Sequence, residues 1–234
     1  TGLLHDQTLS FSSSDENSNY RASISHLNID GLLLGSAKQR SIGRLNFTQK
    51  GLQDKLTVQA RLSGTVENNN YVSPTNIIYQ AFRRSPTDPV YNADGSYFET
   101  DRSFQYFNPV AIIKEIQNER EAKRIFGNFR ADLEIFKGLS AAVNLAYIRD
   151  DDESFYYEPS YAASNFTKGF GKRAYNNYQS KIIETTLNYS TNFSQKHQVQ
   201  LLGGHSYQKD GYDGFTAQGK EALSDYLKSY NLGA

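Results

Sequence analysis

Between Arg124 and Tyr147 the side chains alternate so strictly that the chain has few structural options. Ile125, Gly127, Phe129, Ala131, Leu133 and Ile135 occupy the odd positions. Phe126, Asn128, Arg130, Asp132 and Glu134 fall between them. In an extended strand this puts an apolar set on one face and a charged set on the other. A tight break follows at Phe136-Lys137-Gly138. Then Leu139, Ala141, Val143, Leu145 and Tyr147 alternate with Ser140, Ala142, Asn144 and Ala146. Two such runs across a glycine-bearing turn predict an antiparallel hairpin. The same hairpin recurs along the chain, with short turns at one end and long polar loops at the other. That recurrence is the pattern of an outer-membrane barrel wall.

The other hairpins follow the same rule. A first strand is expected over residues 5–13, a polar turn over 15–19, and a second strand from Tyr20, with Ala22 and Ile24 on its apolar face. A loop runs through Asp30-Gly31 and Gly35-Ser36. Gly43, Leu45 and Phe47 mark strand three, and residues 51–55 the next turn. Leu56, Val58, Ala60, Leu62, Gly64 and Val66 mark strand four. A long excursion over residues 67–118 carries two predicted short helices, one starting at Ser73-Pro74 and one over 109–116. Serine suits a helix cap, and proline suits the first helical position. Pro86 and Pro89 close the first helix. Tyr91 to Tyr97 reads as a small hairpin turning at Gly95. After the central hairpin a loop is expected over residues 150–177, then strand seven around Ile183, Leu187 and Tyr189. The turn near Gln195 leads into strand eight around Val199 and Leu201. Residues 211–234 read as a non-strand end with a helix built on Ala222, Leu223, Tyr226, Leu227 and Tyr230. The total is eight strands, all-β and up-and-down. The short turns face the periplasm and the long loops face outward.

Composition narrows the function. The formal net charge is zero, so bulk electrostatics give no reason to expect a nucleic-acid partner. Without cysteine there is neither a disulfide framework nor a thiolate metal site. Methionine is absent too, and no signal peptide or preceding domain is visible, so excision from a longer chain is expected. No apolar run approaches the roughly 20 residues of a membrane helix. The mean hydropathy of -0.65 does not count against a barrel, since only alternate strand residues face lipid.

Several segments resemble the early barrel of SusC/RagA-type TonB-dependent transporters. They are Asn19-Tyr20-Arg21-Ala22-Ser23, Arg44-Leu45-Asn46-Phe47 and Leu62-Ser63-Gly64. Pro86-Thr87-Asp88-Pro89-Val90-Tyr91, Asp94-Gly95-Ser96-Tyr97 and Asn108-Pro109-Val110-Ala111 follow in the same order. So do Arg124 through Leu139 and Gly203-Gly204-His205-Ser206-Tyr207-Gln208. The resemblance covers nearly the whole chain, residues 1–234, as part of a receptor barrel domain. It implies a barrel of about 22 strands in the outer membrane of a Gram-negative cell. It also implies import of oligosaccharides or peptides, a SusD-like surface lipoprotein as lid, and TonB engaged through a plug segment that this sequence does not show. On that reading the chain is not an enzyme and carries no cofactor.

Candidate ligand-binding residues lie in the predicted outer loop: Tyr156, Tyr157, Tyr161, Phe166 and Tyr175. Their rings could stack on sugars or peptide side chains, or simply pack the loops and the lid against one another. Tyr20, Phe47, Tyr147 and Tyr189 read as interfacial girdle residues. Arg44, Arg61, Arg130, Asp132, Glu134 and Glu184 read as lining the lumen or meeting a plug. Asp150 and Asp152 offer hard oxygens for calcium, but the run lacks the glycine of a calcium loop and is more simply a solvated loop start. His5, His26, His197 and His205 do not cluster as zinc ligands would. No hydrolase elbow, phosphate loop or zinc-protease motif occurs. Two other architectures fit the pattern: a self-contained eight-stranded membrane barrel with a structural or adhesive role, and a soluble carbohydrate-binding β-sandwich. The sandwich would seal Leu56, Val58, Leu62, Phe129 and Leu133 under a second layer.

Overall fold

In the computed structural model the chain forms one antiparallel sheet of eight strands, paired strictly in sequence order. The strands are β1 (Leu3–Ser14), β2 (Ser18–Asp30), β3 (Ala37–Gly51), β4 (Leu56–Asn70), β5 (Gln117–Phe136), β6 (Leu139–Glu158), β7 (Phe170–Phe193) and β8 (His197–Lys220). Two helices, α1 (Pro74–Arg83) and α2 (Pro109–Glu115), lie in the β4–β5 connection. The structure describes residues 2–99, 106–164, 168–193, 197–222, 224–230 and 232.

Among the described residues no second sheet packs on this one. Leu62, Phe129 and Leu133 on the apolar face remain 53%, 42% and 36% exposed. That excludes a sandwich, whose inner faces would be sealed. The sheet is also not closed, because the strand order runs β1 to β8 with no pairing between those two. An eight-stranded barrel would need that pairing. What remains is an open section of wall.

Register shows how the wall is tilted. One row of directly opposed residues runs Leu9, Ile24, Gly43, Gly64, Ile125, Arg149, Gln179 and Gly211. It is apolar or glycine through β5 and polar at Arg149 and Gln179 on β6 and β7. A row nearer the short turns, Leu56, Leu133, Ala141, Leu187 and Gly203, keeps the apolar character through β8. The apolar segment therefore slips toward the short turns from strand to strand. Strands inclined to a bilayer must do this if their apolar stretches are to form one level belt.

Turn chemistry confirms the short ends. Asp15 accepts hydrogen bonds from the Asn17 and Ser18 amides at 2.8 and 2.6 Å, closing the β1–β2 turn. These bonds and the one from the Ser18 hydroxyl hold the Asp15 carboxyl below the ordinary range. Gly138 turns β5 into β6 at φ +94, which glycine tolerates and other residues resist. At the β3–β4 turn three successive non-glycine residues, Leu52, Gln53 and Asp54, take positive φ. The turn near Gln195 falls on residues 194–196, outside the described residues.

The strands are longer than the alternation of apolar residues indicates, and this corrects two sequence expectations. The region read as a loop over 150–177 is strand as far as Glu158 and again from Phe170. Residues 211–220, read as non-strand, belong to β8. Asp30 to Ser36 is a short connection between β2 and β3. The backbone ladder continues through the outer halves of β5 to β8. Above the apolar belt the alternation continues in charged residues and is held by cross-strand pairs such as Arg124–Asp150 at 3.0 Å and Arg173–Glu153 at 3.3 Å.

Candidate functional site at the outer mouth

Both sides of the extended β5–β8 ribbon are covered at its outer end, by different parts of the chain. Since successive strand residues point to opposite faces, Tyr156 and Tyr157 are separated at once. Tyr156, Asn118, Glu158 and Lys172 belong to the polar, lumenal face. Tyr157, Tyr175, Asp151 and Glu153 belong to the face that is apolar lower down.

On the lumenal face sits the β4–β5 excursion. Its small core is Ile77 of α1 with Phe107 and Ile112, flanked by Val72, Ile113 and Ile116. Asn108 organises it. Its side chain accepts from the Val110 and Ala111 amides at 3.0 and 3.4 Å, capping α2, and donates to the carbonyls of Val90 and Phe98 at 2.8 and 3.1 Å. Arg84 ties in the 91–97 hairpin by donating to the Phe98 carbonyl at 2.6 Å, with its guanidinium 5.3 Å from that residue's ring centroid. The expected helix starts and punctuation hold: α1 begins at Pro74, α2 at Pro109, and Tyr91 bridges Tyr97 with Gly95 at φ +85. Ser73 caps α1 without a side-chain hydrogen bond.

Between this excursion and the strands lies a pocket of about 240 Å³. Tyr71, Gln80, Phe107, Asn118, Tyr156 and Glu158 contribute to its lining. The Tyr156 hydroxyl donates to Glu158 at 2.5 Å, and its ring meets Phe170 edge-on at 5.9 Å. A shallower groove continues past Tyr156 along Phe170, Lys172 and Gln218. A rigid aromatic pair, a carboxylate, an ammonium and side-chain amides thus converge on the lumenal side of the mouth. The set can stack on a ring and bind polar groups of either charge. Close by, burial and the charge of Glu99 push the Glu115 carboxyl above its ordinary range.

The other predicted residues do different things. Tyr157 is 1% exposed and donates to Asp225 at 2.6 Å, where the Ser160 amide and hydroxyl also bind. Burial works against that carboxylate, but the bonds from Ser160 and Tyr157 hold it below the ordinary range. Tyr175 donates to Asp151 at 2.6 Å. Tyr161 is 65% exposed in the β6–β7 loop, and Phe166 lies outside the described residues. The five therefore do not form one cluster: of the described four, Tyr156 alone lines the pocket. Phe170 and Glu158 stand beside it; strand parity from Tyr156 gives Glu158, which the sequence reading did not single out, whereas placing Phe170 there needs the β6–β7 register. Asp150 and Asp152 share the lumenal face, but Asp150 pairs with Arg124, and Arg120 donates to Asp152 at 2.6 Å. Among the described residues no group of three or more metal-ligating side chains converges. Of the girdle residues, Tyr20, Phe47 and Tyr189 lie near the short turns. Tyr147 lies at the opposite border of the belt, in mid-strand rather than at a strand end.

A single open sheet, apolar on one face and polar on the other, with tight turns at one end and folded loops at the other, has the architecture of a section of a large transmembrane β-barrel wall. Comparison with known proteins makes that class specific. The chain is 26% identical over 99% of its length to TonB-dependent receptor P3 of Formosa agariphila, and 25% identical over 88% to TonB-dependent receptor P26 of the same organism. It superposes on the RagAB peptide transporter with a TM-score of 0.77 at 22% identity, covering 96% of this chain, and on the closed-closed state of the RagAB peptide importer with a TM-score of 0.75. The chain spans about a quarter of the length of these relatives and structures. No family model matches it. The resemblance to SusC/RagA-type TonB-dependent transporters thus extends from sequence to fold.

Proposed function

We propose that this chain is a wall section and part of the outer mouth of a TonB-coupled outer-membrane importer of peptides or oligosaccharides, working beneath a SusD-like surface lipoprotein. The observation that carries this reading is the fold likeness to the RagAB transporter over 96% of the chain. It is supported by the division of the sheet into a lipid-type face and a polar face. On the polar face Arg130 forms an ion pair with Asp132, and Asn128, Asn144 and Glu184 form a hydrogen-bonded chain, with contacts of 2.7 and 2.8 Å. Such groups are tolerated toward a water-bearing or plugged lumen and are costly toward lipid.

Cargo contact falls to Tyr156 with Phe170, Glu158 and Lys172. The test is uptake by the full-length parent chain, expressed with its operon partners, of fluorescent oligopeptides and oligosaccharides. Tyr156→Ala is expected to weaken cargo binding about tenfold, the worth of one stacked aromatic, with surface abundance unchanged. Uptake of neither cargo class, or unchanged binding by the variant, would remove the reading.

A further inference from the structure

On the lipid-type face, Lys181 of β7 and Lys209 of β8 stand directly opposite one another, with Tyr147 of β6 next in the same row. Two like charges at directly opposed positions destabilise a sheet unless an anion lies between them. Among the described residues of β6, β7 and β8 no carboxylate adjoins them on that face. The neighbours along β7 are Gln179 and Ile183, those along β8 are Tyr207 and Gly211, and those on β6 are Leu145 and Arg149. Arg149 itself is engaged by Asp151 at 2.8 Å. Nor does either lysine belong to an ion pair among the described residues. The level of the pair is equally informative. One step toward the short turns lie Ile183 and Tyr207, inside the apolar belt. One step outward the face turns polar at Gln179. Tyr147 and Tyr207 flank the lysines, and tyrosine collects where hydrocarbon meets headgroups. Lysine at that depth lays its aliphatic stem on the belt and lifts its ammonium to the interface.

We propose that Lys181 and Lys209 form a binding site for the phosphate groups of an outer-leaflet lipid, holding an anionic headgroup against the β7–β8 wall. The site rests on the assignment of this face to lipid and is independent of the cargo that the transporter carries. A phosphate bridging the two ammonium groups removes their repulsion and anchors the wall to its first shell of lipid. It also accounts for a pair of cations placed where a soluble surface would interpose a carboxylate.

The test uses the full-length parent protein in nanodiscs of phosphatidylcholine, alone or doped with diphosphorylated lipid A, with bound lipid counted by native mass spectrometry. The wild-type protein is expected to enrich lipid A over phosphatidylcholine. Lys181→Gln and Lys209→Gln should each lower that preference about fivefold, and the double variant about thirtyfold, since each cation near an anionic surface contributes about a factor of five. The Lys181→Arg/Lys209→Arg variant should retain the preference, and added salt should weaken it. Equal enrichment by the double glutamine variant would overturn the proposal. So would competition by inorganic phosphate as effective as that of the lipid, which would make this a free-anion site. Cargo uptake is measured in parallel, so that loss of lipid preference with normal uptake separates this inference from the transport reading.

Discussion

The Asn108 side chain makes four hydrogen bonds in the outer excursion, and its removal is a sharp local test. Asn108→Ala deletes the α2 cap and leaves the Val90 and Phe98 carbonyls without that partner. A lost cap costs about 1 kcal/mol, and losing the two further bonds costs about 1 kcal/mol more, because the Val90 and Phe98 carbonyls keep the Phe98 amide and Arg84 as donors. Amide protection over residues 106–116 should therefore fall by about 2 kcal/mol in hydrogen exchange, while protection of the strands is unchanged. Glu115 behaves in the opposite sense from a paired carboxylate. Burial and Glu99 raise its folded pKa above the unfolded value. The folded excursion thus has its full stability from this group below the ordinary glutamate range and loses some as pH rises through the raised value. Glu115→Gln should accordingly increase protection of α2 at neutral pH and change little at acidic pH, measured by the same exchange experiment at both. Equal effects at the two pH values would show that the charge is not what limits the excursion.

The hairpin, rather than the single strand, is the repeating element, and its turns carry register. Gly138 shows why one residue type can be obligatory. Its φ is +94, and a Cβ there would lie 2.4 Å from the Ser190 carbonyl oxygen. The Ser190 amide in turn donates to the Gly138 carbonyl at 2.7 Å, tying the β5–β6 turn to β7. Gly138→Ala must therefore strain the backbone and push β7 away at once. At about 1–2 kcal/mol for the conformation alone, the expected loss in urea unfolding of the parent barrel is about 2 kcal/mol or more. By contrast, the turn at Leu52, Gln53 and Asp54 uses positive φ without a glycine. Its conformation was not legible, because leucine and glutamine carry no signal for that backbone region. The helix starts were legible at Ser73-Pro74 and Pro109, but the Asn108 cap was not read, and Ser73 makes no side-chain cap bond. The outer halves of β5 to β8 were not, since a charged alternation such as Arg149-Asp150-Asp151-Asp152 is as ordinary in a loop as in a strand. Pairing with the neighbouring strand decides it.

Taken together, the sheet defines two solvents for one chain. Phe129 sits mid-belt on the lipid-type face between Ala60 and Leu145, whereas Thr57 lies on the polar face opposite Asp132. Phe129→Arg should lower stability in lipid vesicles by about 2–4 kcal/mol, the depth-dependent cost of a cation facing lipid near midplane. Thr57→Arg should cost little, being directed to the lumenal side beside a carboxylate. Similar effects of the two substitutions would mean that the faces have been assigned wrongly. The open edges at β1 and β8 belong to this argument as well, since unpaired strand edges are sites for further pairing.

From sequence alone came the period-two pattern, the eight strands, the two short helices and the assignment of one face to lipid. These depend only on which neighbours in the chain are apolar, and alternation within a strand is a local property. Tertiary structure decided how far the strands continue beyond the belt, how the belt slips in register from β1 to β8, and which tyrosines share a face. It also set Tyr156 beside Phe170 and Glu158, and Lys181 against Lys209. Those outcomes depend on cross-strand register, a relation between residues far apart in the chain that no local pattern encodes.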